Sequence, residues 1–392
     1  MVSFAMMSYR LHDEINIFVG YMKPTEAEQR AREDLVRRFT DLVESFDLSV
    51  SVRCFGSYVT GLYTPISDID MVLVSKERHR RSESSSDSKF DPYAHNPGNN
   101  KPNLESVLHH IQLSGFASHI TSLLQAKVPI IKVTDAVTGI VIDLIDSSHE
   151  VHAVASTEAV QRWTRREFDF IRAIVLVVKI FLAIRKAGTT YTGGINSYVL
   201  VWMVVAWVEL ELPKISRSSG LVGEEGVEVE VEVGLDEGSD LGSDSDSSQS
   251  SGAPCPHLAQ GKPAASVPAY LRKDLGRALM LFFRFWGEDF DYASKAVRFN
   301  PVLGYGSKYR FGFPTSGSPE YLFCIIDPAN RYIDLGEKAY AIKHIRETFR
   351  KAYVDLCGIM EKGSEVPRGG SLLNRVLKGD FRQFVLAREA II

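Results

Sequence analysis

Two aspartates, Asp68 and Asp70, stand one residue apart where a polar turn runs into a Val-rich segment, in "CFGSYVTGLYTPISDIDMVLV" (residues 54 to 74). Alternate residues of a strand project from the same face. If "DIDMVLV" is a strand, the two carboxylates point together and repel, and only a cation makes that arrangement tolerable. Hard oxygen donors of this kind suit Mg²⁺ or Mn²⁺. A third carboxylate, Asp143, lies inside the apolar segment "GIVIDLI". A charge buried there is costly unless it is paired or bound to metal. Three carboxylates on neighbouring strands form a two-metal site. One metal activates an attacking hydroxyl, and the other holds a triphosphate and steadies the leaving pyrophosphate.

Gly56 and Ser57 precede the aspartates by about ten residues. Glycine lets the backbone approach a phosphate closely. A serine opening a helix offers a hydroxyl and free N–H groups to the same anion. The bland alternative is a capped turn before a surface strand with two solvated aspartates. An Asp-x-Asp pair alone does not exclude it. Gly-Ser, Gly-Leu and Ser-Asp-x-Asp in order, with Asp143 beyond them, is a far more specific pattern.

The chain has 392 residues, 45% hydrophobic and 24% charged, enough apolar material for two domains. Its longest apolar run, "VLVWMVVAWV" (199 to 208), is too short to cross a bilayer and reads as a buried helix. The first residues lack a signal-peptide layout, so the expectation is neither secretion nor a membrane. Four widely spaced cysteines, with no C-x-x-C, point to a reducing compartment and no zinc site. Net charge is −4, but residues 218 to 261 hold ten acidic residues and no Lys or Arg, leaving the rest at +6. A mildly basic body is compatible with a polyanionic substrate.

Residues 8 to 46 read as two helices broken at Pro24, the second capped by Thr25. Strands are expected at "LSVSVRCF", "DIDMVLVS", "AKVPIIKVTD" and "GIVIDLI". Residues 77 to 103 read as a flexible loop. Helices return over 164 to 212. Residues 214 to 266 are too rich in Gly, Ser, Asp and Glu to form a core, although "VEVEVEV" has strand periodicity. Helical patterns resume at "LRKDLGRALMLFFRFWGEDFDY" and "KAYAIKHIRETFRKAYVDL", followed by a polar tail.

The stretch "FGSYVTGLYTPISDIDMVLV" resembles the signature of DNA polymerase β-like nucleotidyltransferases. More narrowly, the chain resembles the Trf-type poly(A) RNA polymerases, the catalytic subunits of nuclear TRAMP-type surveillance complexes. The likeness runs from about residue 11 to 356. It includes "AKVPIIKVTDAVTGIVIDL", "VLVVKIFLAIRK" with "YTGGINSYVL", "LGRALMLFFRFWGEDFDY" and "DPANRYIDLGEKAYAIKHI". The resemblance implies an α+β fold, with a nucleotidyltransferase catalytic lobe holding a small mixed β-sheet. A helical central lobe accompanies it, and the nucleotide lies in the cleft between. The implied domains are N-terminal helices packing on the central lobe (1–45) and a catalytic domain (46–158). The central domain follows (159–213 and 267–358), split by a disordered acidic insertion (214–266), and a C-terminal tail ends the chain (359–392).

The resemblance also assigns residues. Asp68, Asp70 and Asp143 match the family's metal ligands, for Mg²⁺ or Mn²⁺, with ATP as substrate. Gly56 and Ser57 match its triphosphate contact, Lys179 its phosphate-binding lysine, and Ser197 a phosphate-contacting serine. Tyr198 matches a tyrosine that stacks on the base, and Asp334 falls in the nucleotide-recognition loop. On their own, Lys179 reads equally as a snorkelling residue on an amphipathic helix and Tyr198 as core. Implied partners are RNA 3′ ends, a zinc-knuckle RNA-binding subunit and an RNA helicase, and the implied location is the nucleus. Two departures stand out. In "DLIDSSHEV", Ser147 replaces an Asn that helps hold sugar and phosphates in the family, and Val151 falls near its Gly. Ile333 stands where uridylyltransferase relatives carry a base-reading histidine. Three other readings stay open at this point: a terminal uridylyltransferase, a catalytically silent scaffold, and a small-molecule nucleotidyltransferase.

Overall fold

The computed structural model describes residues 4–76, 104–218, 263, 266–312, 319–361 and 370–391. Two hydrophobic cores organise them, one under a sheet and one among helices.

The sheet is mixed. Strands β1 (Val50–Phe55), β2 (Ile69–Ser75), β3 (Ala117–Leu123), β4 (Ile130–Asp135) and β5 (Val141–Ile145) lie in the order β1-β2-β5-β4-β3. β2 runs parallel to β5, and the other neighbours are antiparallel. The period-2 pattern of β2 decides its faces. Ile69, Met71 and Leu73 enter one core with Ile142 and Leu144 of β5. Val72 and Val74 pack on the opposite face with Ile145. Asp68 and Asp70 belong to the second face. β2 is therefore buried on both sides except where that face ends in carboxylates.

Two N-terminal helices, α1 (Phe4–Met22) and α2 (Glu26–Phe46), separate at Pro24. Thr25 caps α2 as its sequence predicts. Its Oγ1 accepts from Glu28 N at 3.2 Å, and the Glu28 carboxylate accepts from Thr25 N at 2.6 Å. Helix α1 packs on the helical lobe, through Met7, Leu11 and Ile15. The expectation that residues 1–45 pack there as a unit does not match α2. Its stripe Leu35, Phe39, Val43 closes the sheet core, because the break at Pro24 lets the second apolar face turn to the sheet. Arg38 of α2 locks it there with two hydrogen bonds, 3.0 and 2.8 Å, to fully buried Asp135 at the end of β4.

Helix α4 (Leu104–Ser114) covers the sheet core beside α2. Helix α5 (Glu150–Thr164) joins the two cores. Ala153, near its start, packs with Val72, Val74 and Ile145 of the sheet, while Val160 and Trp163, near its end, enter the helical core. There it meets α6 (Phe168–Ile184), α7 (Ser197–Leu210), α10 (Leu275–Arg284) and α11 (Ile342–Glu361). The apolar run 199–208 is buried throughout in α7, as expected. Short helices α8 (Leu212–Ser218) and α9 (Ala269–Arg272) flank the acidic stretch. That stretch, "VEVEVEV" and the 77–103 loop lie outside the described residues, apart from a few at the edges of 214–266.

A second sheet of four short strands, β6 (Lys295–Arg298), β7 (Gly304–Ser307), β8 (Cys324–Asp327) and β9 (Asn330–Asp334), lies in the order β7-β6-β8-β9 beside the helices. The polar tail expected after residue 358 contains α12 (Leu372–Leu377) and α13 (Arg382–Ile391) instead. Leu372, Leu373, Val376 and Leu377 are buried in the helical core. Phe384 is buried with Met22, Leu176 and Ile180. A few apolar residues at i, i+1, i+4, i+5 suffice once a preformed surface receives them. No helix among the described residues is long and apolar enough to cross a membrane.

Candidate active site

Parallel pairing of β2 with β5 puts Asp70 directly opposite Asp143. Asp68 stands two residues before Asp70 and beside Asp143. Burial first, then Asp68 and Asp143, push the Asp70 carboxyl up to about 7. Asp143 is only 7% exposed, and burial followed by Asp68 raises its pKa too. Antiparallel pairing of β4 with β5 sets Lys132 opposite Asp143, and the ammonium donates to Oδ2 of that carboxylate. Oδ1 of Asp143 is buried with no hydrogen-bond partner.

Among the described residues, no three acidic, histidine or cysteine side chains already close round a single metal position. The donors fit a divalent ion in kind nonetheless. Three carboxylates lie on adjacent strands, one oxygen is orphaned, and burial beside like charge raises the pKa of both Asp70 and Asp143. Lys132 supplies part of the balancing positive charge in this arrangement. Asp68, Asp70 and Asp143 would hold a divalent ion, which would supply the rest.

Gly56 opens a five-residue helix, α3 (Gly56–Thr60), at φ 69°. A Cβ there would run into the Asp70 carboxylate, so the position needs glycine for both conformation and space. Its N–H donates to Thr157 Oγ1 of α5 at 2.9 Å, which pins the turn to the joining helix.

A cavity of about 410 Å³ lies between the two lobes. Gly56, Ser57, Asp68 and Asp70 line one wall, and Lys179, Ser197 and Tyr198 another. Lys179, on α6, donates to Ser67 Oγ at 3.3 Å, one residue before the aspartates. Burial lowers its pKa, and Asp68 and Asp70 oppose that. Asn196 caps α7, its Oδ1 accepting from Val199 N at 2.9 Å, and so aims the start of that helix into the cavity. The Tyr198 hydroxyl donates to Asp327 Oδ1 at 2.8 Å, and burial raises its pKa.

Asp143 and Asp334 stand outside the cavity wall. Asp143 lies behind Asp70 under Lys132. Asp334 is turned into its own sheet, where Oδ1 accepts from Ile325 N at 3.1 Å and Gly336 N at 2.8 Å. It ties the end of β9 to β8, because a half-buried carboxylate beside backbone N–H groups is captured by them.

Four residues of the site carry no role assigned from the sequence: Lys132, Asp327, His152 and Thr157. His152 of α5 meets Asp327 Oδ2 at 3.0 Å across the mouth of the cavity. Alternation in "IIKVTD" puts Lys132 on the face that Asp143 uses, a signal that was available. The pairing of residues 152 and 327 had none.

Residues 11–165 match the central palm domain of the mitochondrial-like poly(A) RNA polymerases, and 274–332 match the Cid1 family poly A polymerase domain. Together the two spans cover more than half the chain. Poly(A) RNA polymerase cid14 of Schizosaccharomyces pombe is 25% identical over 342 residues, 87% of this chain and 40% of that protein. The inactive non-canonical poly(A) RNA polymerase protein Trf4-2 of Drosophila melanogaster is also 25% identical, over 93% of this chain and 73% of that one. The polymerase core of TRAMP, an RNA surveillance complex, superposes with a TM-score of 0.68 at 21% identity, over 96% of both chains. The chain spans about half or less of the length of several curated relatives it matches. The chain carries the palm and Cid1-family domains found in poly(A) RNA polymerases, and across both lobes it is similar to the Trf-type members of that group.

Proposed function

We propose that this chain transfers adenylate from ATP to RNA 3′ ends with two divalent metal ions, Mg²⁺ or Mn²⁺. The observation that carries the reading is that Asp68 and Asp70, the latter in register with Asp143 on the next strand, line a cavity whose far wall holds Lys179 and Tyr198. Bound at the three carboxylates, the metals would polarise the attacking 3′-hydroxyl and neutralise the developing charge on the phosphates.

The chain's own residues do the rest by positioning. Gly56 and Ser57 offer backbone and hydroxyl to the triphosphate. Lys179 gives it a cation held in low dielectric, where a phosphate partner repays burial. Ser197 adds a hydroxyl, and Tyr198 offers its ring to the base while Asp327 holds the hydroxyl. Asp143, in register with Asp70, would help to accept the primer's proton. Ile333 cannot donate a hydrogen bond to a uracil carbonyl, which favours ATP over UTP.

A place in nuclear RNA surveillance, beside a zinc-knuckle RNA-binding subunit and a helicase, fits the family and the modest charge of the body. The named inactive relative keeps one other reading in play, a scaffold without turnover. Incubating the chain with an oligoadenylate primer, each of the four nucleotides and Mg²⁺ or Mn²⁺ decides between them. Extension with ATP above UTP is the expected result. No incorporation with any nucleotide would leave the scaffold, and better use of UTP would make the chain a uridylyltransferase.

A further inference from the structure

A second cavity, of about 690 Å³, shares no lining residue with the first. Its walls are the end of α1, the turn between α5 and α6, the first turns of α6, and Arg272 with Leu275. Five cations line it, Lys23, Arg165, Arg166, Arg172 and Arg272, against two carboxylates, Glu167 and Asp169. Glu167 is already engaged. It holds Arg272 at 2.5 Å and the backbone N–H of Val267 at 3.1 Å. Lys23 and Arg165 are exposed and form no ion pair among the described residues.

Arg172 is the informative member. Its residue is 7% exposed, and its Nε is buried without a hydrogen-bond partner. Burial lowers its pKa, opposed by Asp169, one turn earlier on the same helix, and by Tyr63. A guanidinium this buried, with no carboxylate bonded to it, is unfavourable unless something anionic arrives. Val19, Phe168 and Leu275 give the same cavity apolar walls, which strengthen any charge pair formed inside.

Its place relative to the first cavity narrows the guest. Arg172 and Lys179 are seven residues apart on α6, two turns and so about 10 Å along one face of the helix. A chain whose end reaches the carboxylates can extend past Arg172. We infer that this basic cavity is a second anion site that grips the phosphodiester backbone of single-stranded RNA. The inference rests on the RNA-directed reading above. Arginine suits the task because its planar fork meets phosphate oxygens in pairs, and such contacts position a strand without reading its sequence.

The test is anisotropy of a labelled 15-nucleotide oligoadenylate titrated with the full chain, without ATP or divalent metal, over a series of KCl concentrations. In Lys23→Ala/Arg165→Ala the binding should weaken, and the slope of log K against log salt should shrink by about 0.7 for each phosphate no longer gripped. KM for ATP at saturating primer should not move. Arg172→Met keeps volume and removes the charge. It should weaken RNA binding while the melting temperature holds or rises, which a purely structural arginine would not give. Unchanged affinity and slope in the double variant would overturn the inference. So would an Arg172→Met protein that melts earlier yet binds RNA normally, or a polyglutamate peptide bound at this cavity in preference to RNA. Because binding is read without turnover, failure here leaves the adenylation reading standing, and an inactive protein that grips RNA through this cavity sinks only that reading.

Discussion

In the metal-free protein, Asp70→Asn should stabilise the fold while it abolishes transfer. Asp70 ordinarily ionises near 3.8, and in place it does so at about 7. The difference is about three units, and each unit is worth about 1.36 kcal/mol, so the ionised carboxylate burdens the fold by about 4 kcal/mol at most. The sign follows from linkage. The folded pKa lies above the unfolded one, so the burden is fully present above about 7. It fades as pH falls from about 7 towards about 4, where both states are protonated. Asn keeps the shape and never ionises. Thermal melts in EDTA at pH 8 should therefore place Asp70→Asn several degrees above wild type, and at pH 5 the gap should fall by more than half. Mg²⁺ with ATP should raise wild type and leave the variant where it was, since only ionised carboxylates bind the ion. An Asp70→Asn protein that melts below wild type at pH 8 in EDTA would refute the reasoning, and a gap independent of pH would do the same.

Gly56→Ala forces a side chain into the left-handed region and into Asp70; transfer should fall by about a hundredfold, as for a misplacement of about 1 Å in a site run by positioning, with the fold intact by circular dichroism. Arg38→Met strands Asp135, whose side chain is fully buried; denaturant unfolding should show a loss of about 3–5 kcal/mol. The hydrogen bond from His152 to Asp327 raises the His152 pKa above its usual 6.5, so the charged pair is complete at lower pH and is lost as pH rises through that raised value. KM for ATP should climb over that window in wild type, and His152→Ala should show a flat, higher KM; identical pH profiles would remove His152 from the pocket's workings.

The parts of this fold that are legible in the sequence are those set by near neighbours. Strand β2 announces itself because both faces are buried and alternate residues declare which is which, so Asp68 and Asp70 can be placed without any partner strand. Helix α2 starts at Thr25 because a capping box is complete within four residues. The strand "ASHITSL" leaves no such mark. Its side chains are mostly exposed, and it forms only because β4 offers a paired edge. Strands β6 to β9 have four or five residues each, too few for a period to show. The C-terminal helices escape the sequence pattern because their apolar residues count for little until the helical core exists to receive them.

The same division runs through the site. Seen from its own helix, Tyr198 is an aromatic residue at the start of an apolar run. Which way its ring faces depends on a hydroxyl bond to Asp327, 129 residues further on, and Asp327 is held in turn by His152, 175 residues back. Lys132 meets Asp143 only through the register of an antiparallel pair. Both interactions tune charge or orientation and supply neither a metal ligand nor a nucleophile. Chemistry that must project from one strand leaves a dense local pattern, as Asp-x-Asp does. Tuning needs only that a distant group arrive within hydrogen-bond reach, at about 3 Å, and many sequences satisfy that equally well. On the proposed reading Tyr198 is the base platform, and Asp327 and His152 together set it. His152 comes from the helix that also carries the sheet face of the aspartates. A shift of α5 would move the platform and the carboxylates as one body, so the two halves of the nucleotide site are coupled through a single helix that no local motif marks.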